Sequence, residues 1–242
     1  RVLFRSVSAG LLTYPPCAFR AERSSLLSFP MAGRSHVRSG YSALREEPSI
    51  RVAGIAGPGE PLYNEETFET FDLIHRCHPE LLLCVSSNGL LLERRLEDLL
   101  SCGVSTLTVT INALDLRSAN QIYHDVFLDQ YPARQDRLRQ FLAAQRKGLY
   151  RACQAGMTVK INTVLIPGIN ENQIQGIAEM GKDAGATIMN IMPLIPCGKM
   201  GNSHPPDKET MQRARELAEC YIPQFLLCRQ CRADACGIPG RE

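Results

Sequence analysis

The chain has 242 residues, of which 44% are hydrophobic and 21% charged, a composition that predicts a packed globular core. A formal net charge of +2 is too small to indicate binding to nucleic acid or to an anionic membrane. No apolar run reaches membrane-spanning length, since even residues 81–85 have only the length of a buried strand.

Residues 1–44 differ from the rest of the chain, because they are rich in arginine and serine and Glu22 is their only acid. They fit an organelle transit peptide, a disordered tail, or sequence that is not native to the domain. They lack an amphipathic period, and Pro15 and Pro16 interrupt their only apolar stretch. The third interpretation is favoured because the motif matches given below begin abruptly at about residue 43. We predict that residues 1–44 are an anomalous leader, disordered or non-native through truncation or a frame shift, and that residues 45–242 form the functional core.

From residue 49 onward, strand-like runs alternate with helical ones. Strands are predicted at residues 50–55, 81–85, 106–111, 158–166 and 186–192, and helices at residues 65–76, 92–101, 134–155, 171–184 and 207–220. Asn64 and Asn170 stand where two of these helices would be capped. A strand, loop and helix repeated five times predicts a parallel sheet with right-handed crossovers.

Glycine and polar residues follow the carboxyl ends of the predicted strands. The first loop, at residues 54–61, reads Gly-Ile-Ala-Gly-Pro-Gly-Glu-Pro, and other polar positions follow at residues 87–89, 112 and 167–168. Ordinary turns are the simpler interpretation of any one loop. Four such loops at one sheet edge favour a ligand site, because α/β sheets bind their ligands there.

These loops and the fourth predicted strand supply the candidate ligand contacts. Gly57 and Gly59 would let backbone approach a ligand, and Ser87, Asn88 and Asn112 are small polar groups at strand ends. Lys160 and Asn162 alternate with apolar neighbours and would face a barrel interior, where they need partners. A ribose or carboxylate could supply these partners, and so could the backbone.

A CxxC pair near the C-terminus, Cys228 and Cys231, is the strongest metal-binding signal. Zinc would need a second pair at suitable spacing, which the sequence lacks, so an iron-sulfur cluster completed by other ligands is the better interpretation. Four other cysteines lie in apolar segments and are predicted to be reduced core residues: Cys84, Cys102, Cys153 and Cys220.

Several strings resemble motifs of the radical S-adenosylmethionine (SAM) enzymes, and more narrowly of the NifB family, which matures the nitrogenase iron-molybdenum cofactor. They occur in the family's order: GIAGPGEPL at 54–62, SNGL at 87–90, TVTINA at 108–113, KINTVLIPGIN at 160–170, NIMPL at 190–194 and CRQCRADA at 228–235. The resemblance covers about residues 45–242. The glycine loop alone is a weak signal, whereas the CRQCRADA string is a specific one.

The resemblance implies a partial (β/α) TIM-like barrel of the radical SAM type that holds SAM and [4Fe-4S] clusters. The first strand of that barrel would be missing or altered in this chain. Glu60 and Pro61 match the position that meets the SAM amino group. Met192 would line an adenine pocket, with core packing as the alternative, and Cys228 and Cys231 would bind a cluster.

The activity implied is that of a cytoplasmic, lyase-type radical SAM enzyme of nitrogen fixation. It would assemble the carbide-containing iron-sulfur precursor of the nitrogenase cofactor. Its expected partners are an iron-sulfur cluster donor and a nitrogenase cofactor carrier protein, with no nucleic acid and no membrane.

The chain departs from the family in one respect. Radical SAM enzymes carry CxxxCxxC ahead of the glycine loop, whereas this sequence has none, and Cys17 is its only cysteine before Gly54. We therefore expect this chain to be inactive by itself. The alternative is a non-catalytic iron-sulfur-binding or scaffold module. A nucleotide-binding α/β module without metal is disfavoured, because the CxxC string would then have no use.

Overall fold

Seven β-strands form one sheet in the computed structural model, which describes residues 25–29, 50–56, 59–124, 126, 133–196, 200–226 and 236–237. The strands are β1 (Ser25–Phe29), β2 (Ile50–Ile55), β3 (Leu82–Ser87), β4 (Val104–Thr110), β5 (Thr158–Leu165), β6 (Ile188–Pro193) and β7 (Cys236–Gly237). Their order is β6-β5-β4-β3-β2-β1-β7. Strands β2 to β6 pair in parallel, which confirms the five predicted parallel strands.

The place beside β2, where the sequence predicts a missing or altered first strand, is not empty. The backbone of β1 pairs in parallel with β2, with a register irregularity between Ser25 and Leu26. On its other side β1 pairs antiparallel with β7. A short strand from the predicted leader therefore extends the parallel sheet by one strand.

Among the described residues, six α-helices accompany the strands: α1 (Glu65–Cys77), α2 (Leu92–Ser101), α3 (Leu116–Ile122), α4 (Arg134–Gln154), α5 (Ile174–Ala184) and α6 (Lys208–Glu219). The short α3 was not predicted. Helix α1 begins after Asn64 with two acids in its first turn, where the helix dipole favours them. Helix α6 begins at Asp207, whose side chain accepts a hydrogen bond from the Thr210 amide at 2.7 Å.

The two faces of the sheet differ in polarity because successive strand side chains point to opposite sides. One face packs against the helices in the main apolar cluster and includes Leu83, Leu107 and Ile161. The other face is the interior of the partial barrel and carries buried polar or polarisable groups. These are Cys84, Ser86, Thr106, Thr108, Lys160, Asn162 and Asn190.

A second apolar cluster covers the carboxyl end of this inner face. Val164 and Met192 continue the inner faces of β5 and β6 and pack with residues of α3 and α4, such as Ile122 and Phe141. The polar interior is therefore bounded by an apolar wall at the edge where the strand loops lie. No helix in the described residues is long and apolar enough to span a bilayer.

The structure corrects one cysteine prediction. Cys84 and Cys102 are buried and Cys153 is half-buried, but Cys220 is exposed. Cys220 follows the last residue of α6 and does not lie on the buried face of that helix. An apolar neighbourhood in the sequence was therefore not enough to place it in the core.

Candidate cofactor site at the carboxyl edge of the sheet

Glu60 joins the glycine loop to the end of β3. Its carboxylate accepts hydrogen bonds from the Ser87 hydroxyl at 2.8 Å, from the Asn88 amide at 2.8 Å and from the Leu62 amide at 3.2 Å. Burial raises the pKa of the Glu60 carboxyl from 4.5 to about 7, although these three donors favour the charged form.

The backbone at Gly59 explains why glycine precedes this glutamate. Gly59 has a φ of +98°, a left-handed conformation that a residue with a Cβ rarely adopts. A Cβ at this position would meet no atom of the described residues within 4 Å, so the loop borders open space within that part of the chain. Pro61 is buried and begins a short 3-10 turn at Pro61–Tyr63. Gly57, the other predicted glycine contact, lies outside the described residues.

Ser87 and Asn88 both contact Glu60, and both are buried. Their side-chain oxygens also shape their own turn. The Ser87 hydroxyl accepts from the Gly89 amide at 2.9 Å, and Asn88 Oδ1 accepts from the Leu90 amide at 2.8 Å. Much of their hydrogen-bonding capacity is therefore used in fixing the loop after β3.

Asn112, after β4, ties its loop to β5. Its Oδ1 accepts from the Val164 amide at 2.9 Å, and its carbonyl accepts from Asn170 Nδ2 at 2.9 Å. Asn170 also donates to the Val164 carbonyl and accepts from the Ile166 amide, both at 2.8 Å. Asn170 stands at the N-cap position of the 3-10 turn at Glu171–Gln173 that leads into α5, but its side chain bonds to these loops and makes no cap hydrogen bond.

Gln145, on α4, is a residue of this edge that the sequence analysis missed. Its Nε2 donates to the Asn88 carbonyl at 2.6 Å and to the Thr110 carbonyl at 2.8 Å. A polar side chain at helical spacing between the apolar Phe141 and Leu149 was the available signal. We call the set Glu60, Ser87, Asn88, Asn112, Gln145 and Asn170 the carboxyl-edge belt, because its bonds connect the loops after β2, β3, β4 and β5.

Lys160 and Asn162 lie on the inner face as predicted, and both are fully buried. Asn162 Oδ1 accepts from Asn190 Nδ2 at 3.3 Å, and Lys160 Nζ lies 5.2 Å from the centre of the Phe225 ring. Burial raises the pKa of the Cys84 thiol to about 11, while the positive charge of Lys160 and a hydrogen bond with Thr108 oppose the shift. Among the described residues, the barrel interior thus contains the Cys84 thiol, several amides and the Lys160 amine.

The sequence profile of the Radical SAM superfamily matches residues 44–181, more than half of the chain. The chain belongs to the radical SAM superfamily. Members of this superfamily use SAM and a [4Fe-4S] cluster.

Curated relatives that match over most of the chain are FeMo cofactor biosynthesis proteins named NifB. The protein of Methanocaldococcus jannaschii is 44% identical over 198 residues, which cover 81% of this chain and 65% of that protein. The protein of Klebsiella pneumoniae is 42% identical over 228 residues, covering 90% and 48%. The NifB-type resemblance is therefore confirmed, and the chain spans less than two thirds of the length of these relatives.

Solved radical SAM structures share the fold. SuiB of Streptococcus suis bound to S-adenosylmethionine superposes with a TM-score of 0.58 at 14% identity, over 78% of this chain and 43% of that one. Methylornithine synthase (PylB) gives 0.54 at 12% identity, over 87% and 74%. At these identities the likeness concerns the fold alone, and it confirms the predicted partial barrel.

The described residues of this radical SAM chain are chemically suited to SAM. SAM has a charged methionine end, a ribose and an apolar adenine ring. The inner face offers Asn162, Asn190 and Lys160 for polar groups, and Val164 and Met192 for an apolar ring. Met192 is buried in the second cluster, so packing also accounts for its position.

The residues described do not fit a [4Fe-4S] cluster. They contain no group of three or more His, Cys, Asp or Glu side chains that could hold a metal. The 242 residues of the chain contain no CxxxCxxC. Cys228 and Cys231 lie outside the described residues.

Proposed function

We propose that this chain is a radical SAM protein that binds SAM at its carboxyl edge and acts in assembling the carbide-containing iron-sulfur precursor of the nitrogenase cofactor. The observation that carries the proposal is the carboxyl-edge belt. It brings Glu60, Ser87, Asn88 and Asn112, from three separate loops, to one edge beside a polar barrel interior. The similarity to NifB proteins supplies the assembly role.

Each group has a role suited to its chemistry. Glu60 provides a negative charge beside the open space at Gly59, where a cationic ligand end would favour its ionised form. Asn162 provides hydrogen bonds for a ribose or carboxylate, and Lys160 makes the interior potential positive. Met192 provides an adenine contact. When bound, SAM supplies the methyl and 5′-deoxyadenosyl groups of the family's chemistry.

The proposed site is tested by titrating SAM into the parent chain and into Asn162→Ala. Asn162 is fully buried on the inner face, so its loss removes hydrogen bonds that water cannot replace. We expect roughly fivefold or greater weakening of SAM binding, measured by calorimetry. Asn202→Ala, at an exposed turn, is the matched control and keeps the parent affinity. A parent chain that does not bind SAM contradicts the proposal.

A second candidate function is a non-catalytic iron-sulfur-binding or scaffold module. The missing CxxxCxxC favours it, because the cysteine ligands that radical chemistry requires are absent while the CxxC pair remains. In either role the proposed partners are a cluster donor and a cofactor carrier protein, and the proposed compartment is the cytoplasm.

The cluster role of Cys228 and Cys231 is tested by replacing both with serine. Thiolates are soft anionic ligands for iron, so the double variant should lose bound iron and its charge-transfer absorption after anaerobic reconstitution. The exposed cysteines Cys77 and Cys220 provide the control, and their double serine variant should keep the iron. Iron content unchanged in the Cys228 and Cys231 variant rules out this pair as the ligands.

A further inference from the structure

Gln145 occupies a place where helix packing alone would favour an apolar residue. It is 2% exposed and lies on the buried stripe of α4 with Leu138, Phe141 and Leu149. A buried side-chain amide at such a position destabilises the fold unless it forms hydrogen bonds. Its partners therefore indicate its purpose.

Those partners are the backbone carbonyl of Asn88, in the loop after β3, and that of Thr110, the last residue of β4. Asn88 lies 57 residues before Gln145 and follows β3, whereas Thr110, 35 residues before it, ends β4. The loop after β3 rests directly on this side chain, since a Cβ at Gly89 would lie 3.2 Å from Gln145 Cγ. Gln145 is thus in contact with both segments at once.

The geometry also has an electrostatic consequence. Two carbonyl oxygens converge on one amide group, and each carries a partial negative charge. The two N–H donors of Nε2 offset the repulsion between these oxygens. Without Gln145 each of the two carbonyls would lose this hydrogen bond. This side chain therefore adds a link between the loop after β3 and the end of β4, beyond the last ladder pair of these strands at Ser87 and Val109.

The loop after β4 is supported from the same region. The Asn112 amide donates to the Tyr123 hydroxyl at 3.3 Å, and the Tyr123 ring packs edge-to-face on Phe141 of α4 with centroids 4.9 Å apart. Helix α4 therefore supports the loop after β4 through Tyr123, which packs on Phe141. Through Gln145 it also contacts the loop after β3 and the end of β4.

We propose that Gln145 is a positioning residue that sets the spacing between the loops after β3 and β4, and thereby the affinity for a ligand that contacts both. The inference rests on the proposed SAM site, because Ser87, Asn88 and Asn112 are the side chains that these loops carry. Gln145 itself touches backbone and is not assigned a contact with the ligand.

The test compares Gln145→Glu with Gln140→Glu, an exposed position on the same helix. Glutamate keeps the size of glutamine but lacks the two donors. We expect binding of SAM to weaken roughly tenfold or more in Gln145→Glu, and binding of 5′-methylthioadenosine to change by less than about twofold. The shorter ligand lacks the amino-acid end and so depends less on the spacing of two loops. Equal losses for both ligands, or no loss of SAM affinity, would overturn the inference.

Tyr123→Phe is the second variant, in case Gln145→Glu does not fold. It keeps the ring that packs on Phe141 and removes the oxygen that accepts from the Asn112 amide. It should also weaken SAM more than 5′-methylthioadenosine, and parent-like affinity for SAM would count against the inference.

Amide hydrogen exchange separates this inference from the proposed function. The Gly89 amide, in the loop after β3, and the Asn112 amide, in the loop after β4, are both hydrogen-bonded. Both amides should exchange faster in Gln145→Glu than in the parent chain, and their exchange rates should not change in Gln140→Glu. If the parent chain does not bind SAM, the proposed function fails, and the exchange rates still decide whether Gln145 fixes the loops. Unchanged protection of both amides in a folded Gln145→Glu overturns the inference.

Discussion

At the scale of single residues, Glu60 shows how one side chain both builds and tunes a site. Three donors hold its carboxylate, yet burial still raises its pKa to about 7. The sequence resemblance assigned Glu60 to the SAM amino group. In the structure its oxygens also accept bonds from the chain, so any contact with a ligand is shared with this role.

The raised pKa of Glu60 predicts a pH-dependent stability. Between pH 4.5 and about 7 the folded chain binds more protons at Glu60 than the unfolded chain, so this group's contribution falls as pH rises through that range. Glu60→Gln cannot ionise. Its free energy of unfolding, relative to the parent, should therefore rise by about 2–3 kcal/mol across the same range.

Urea denaturation of both chains at several pH values measures this difference, with Glu69→Gln at an exposed position of α1 as the control. A difference between Glu60→Gln and the parent that stays constant with pH would show that the pKa of Glu60 is not raised in the fold.

At the scale of elements, the carboxyl-edge belt extends the contacts between neighbouring paired strands into the loops beyond the ends of their β-ladders. Asn112 and Asn170 are 58 residues apart and link the loops after β4 and β5 through side chains bonded to backbone groups. Polar side chains serve here because loop backbone lacks regular ladder partners and buried amides must be satisfied. The belt keeps the loops at defined positions relative to the inner face.

Asn170→Ala should destabilise the fold more than an average surface substitution. Asn170 is fully buried, and its loss leaves the Asn112 and Val164 carbonyls and the Ile166 amide without this partner. We expect a loss of about 3 kcal/mol in the free energy of unfolding, measured by urea denaturation. Asn202→Ala, at an exposed turn, should change it by less than about 0.5 kcal/mol. Equal effects of the two substitutions would show that the belt contributes little to stability.

At the scale of the whole molecule, the parallel sheet, the polar interior and the belt are all present, while the sequence lacks CxxxCxxC. The chemistry of the superfamily needs both a positioned ligand and three cysteine thiolates for the cluster. We therefore predict no 5′-deoxyadenosine from this chain after anaerobic reconstitution with iron, sulfide, SAM and dithionite. Chromatographic detection of 5′-deoxyadenosine above a control without SAM would contradict this prediction.

Joining a CxxxCxxC leader ahead of β2 should restore product formation, because the ligands for the cluster would then stand beside a site that the fold already provides. A leader with serines in place of the three cysteines is the matched control. Equal yields from the two leaders would show that the missing thiolates do not limit the activity.

The number and direction of the central strands followed from the sequence because hydrophobic periodicity is local. Apolar runs of strand length alternate with helical stripes, and this order requires parallel crossovers. The polar loops were predictable for the same reason, since the loops after parallel strands meet at one edge. The prediction that Cys220 is buried was wrong, because apolar neighbours in the sequence do not determine whether a residue at the end of α6 faces the core or the solvent.

The sequence by itself therefore determined the five parallel strands, the edge at which the candidate residues gather and, through its motifs, the superfamily. The tertiary structure alone decided which partners those residues take: Glu60 with Ser87 across 27 residues, and Gln145 with Asn88 across 57. It also placed β1 beside β2. The physical reason is that periodicity depends on neighbours along the chain, whereas a hydrogen bond between distant residues depends on how the elements between them pack.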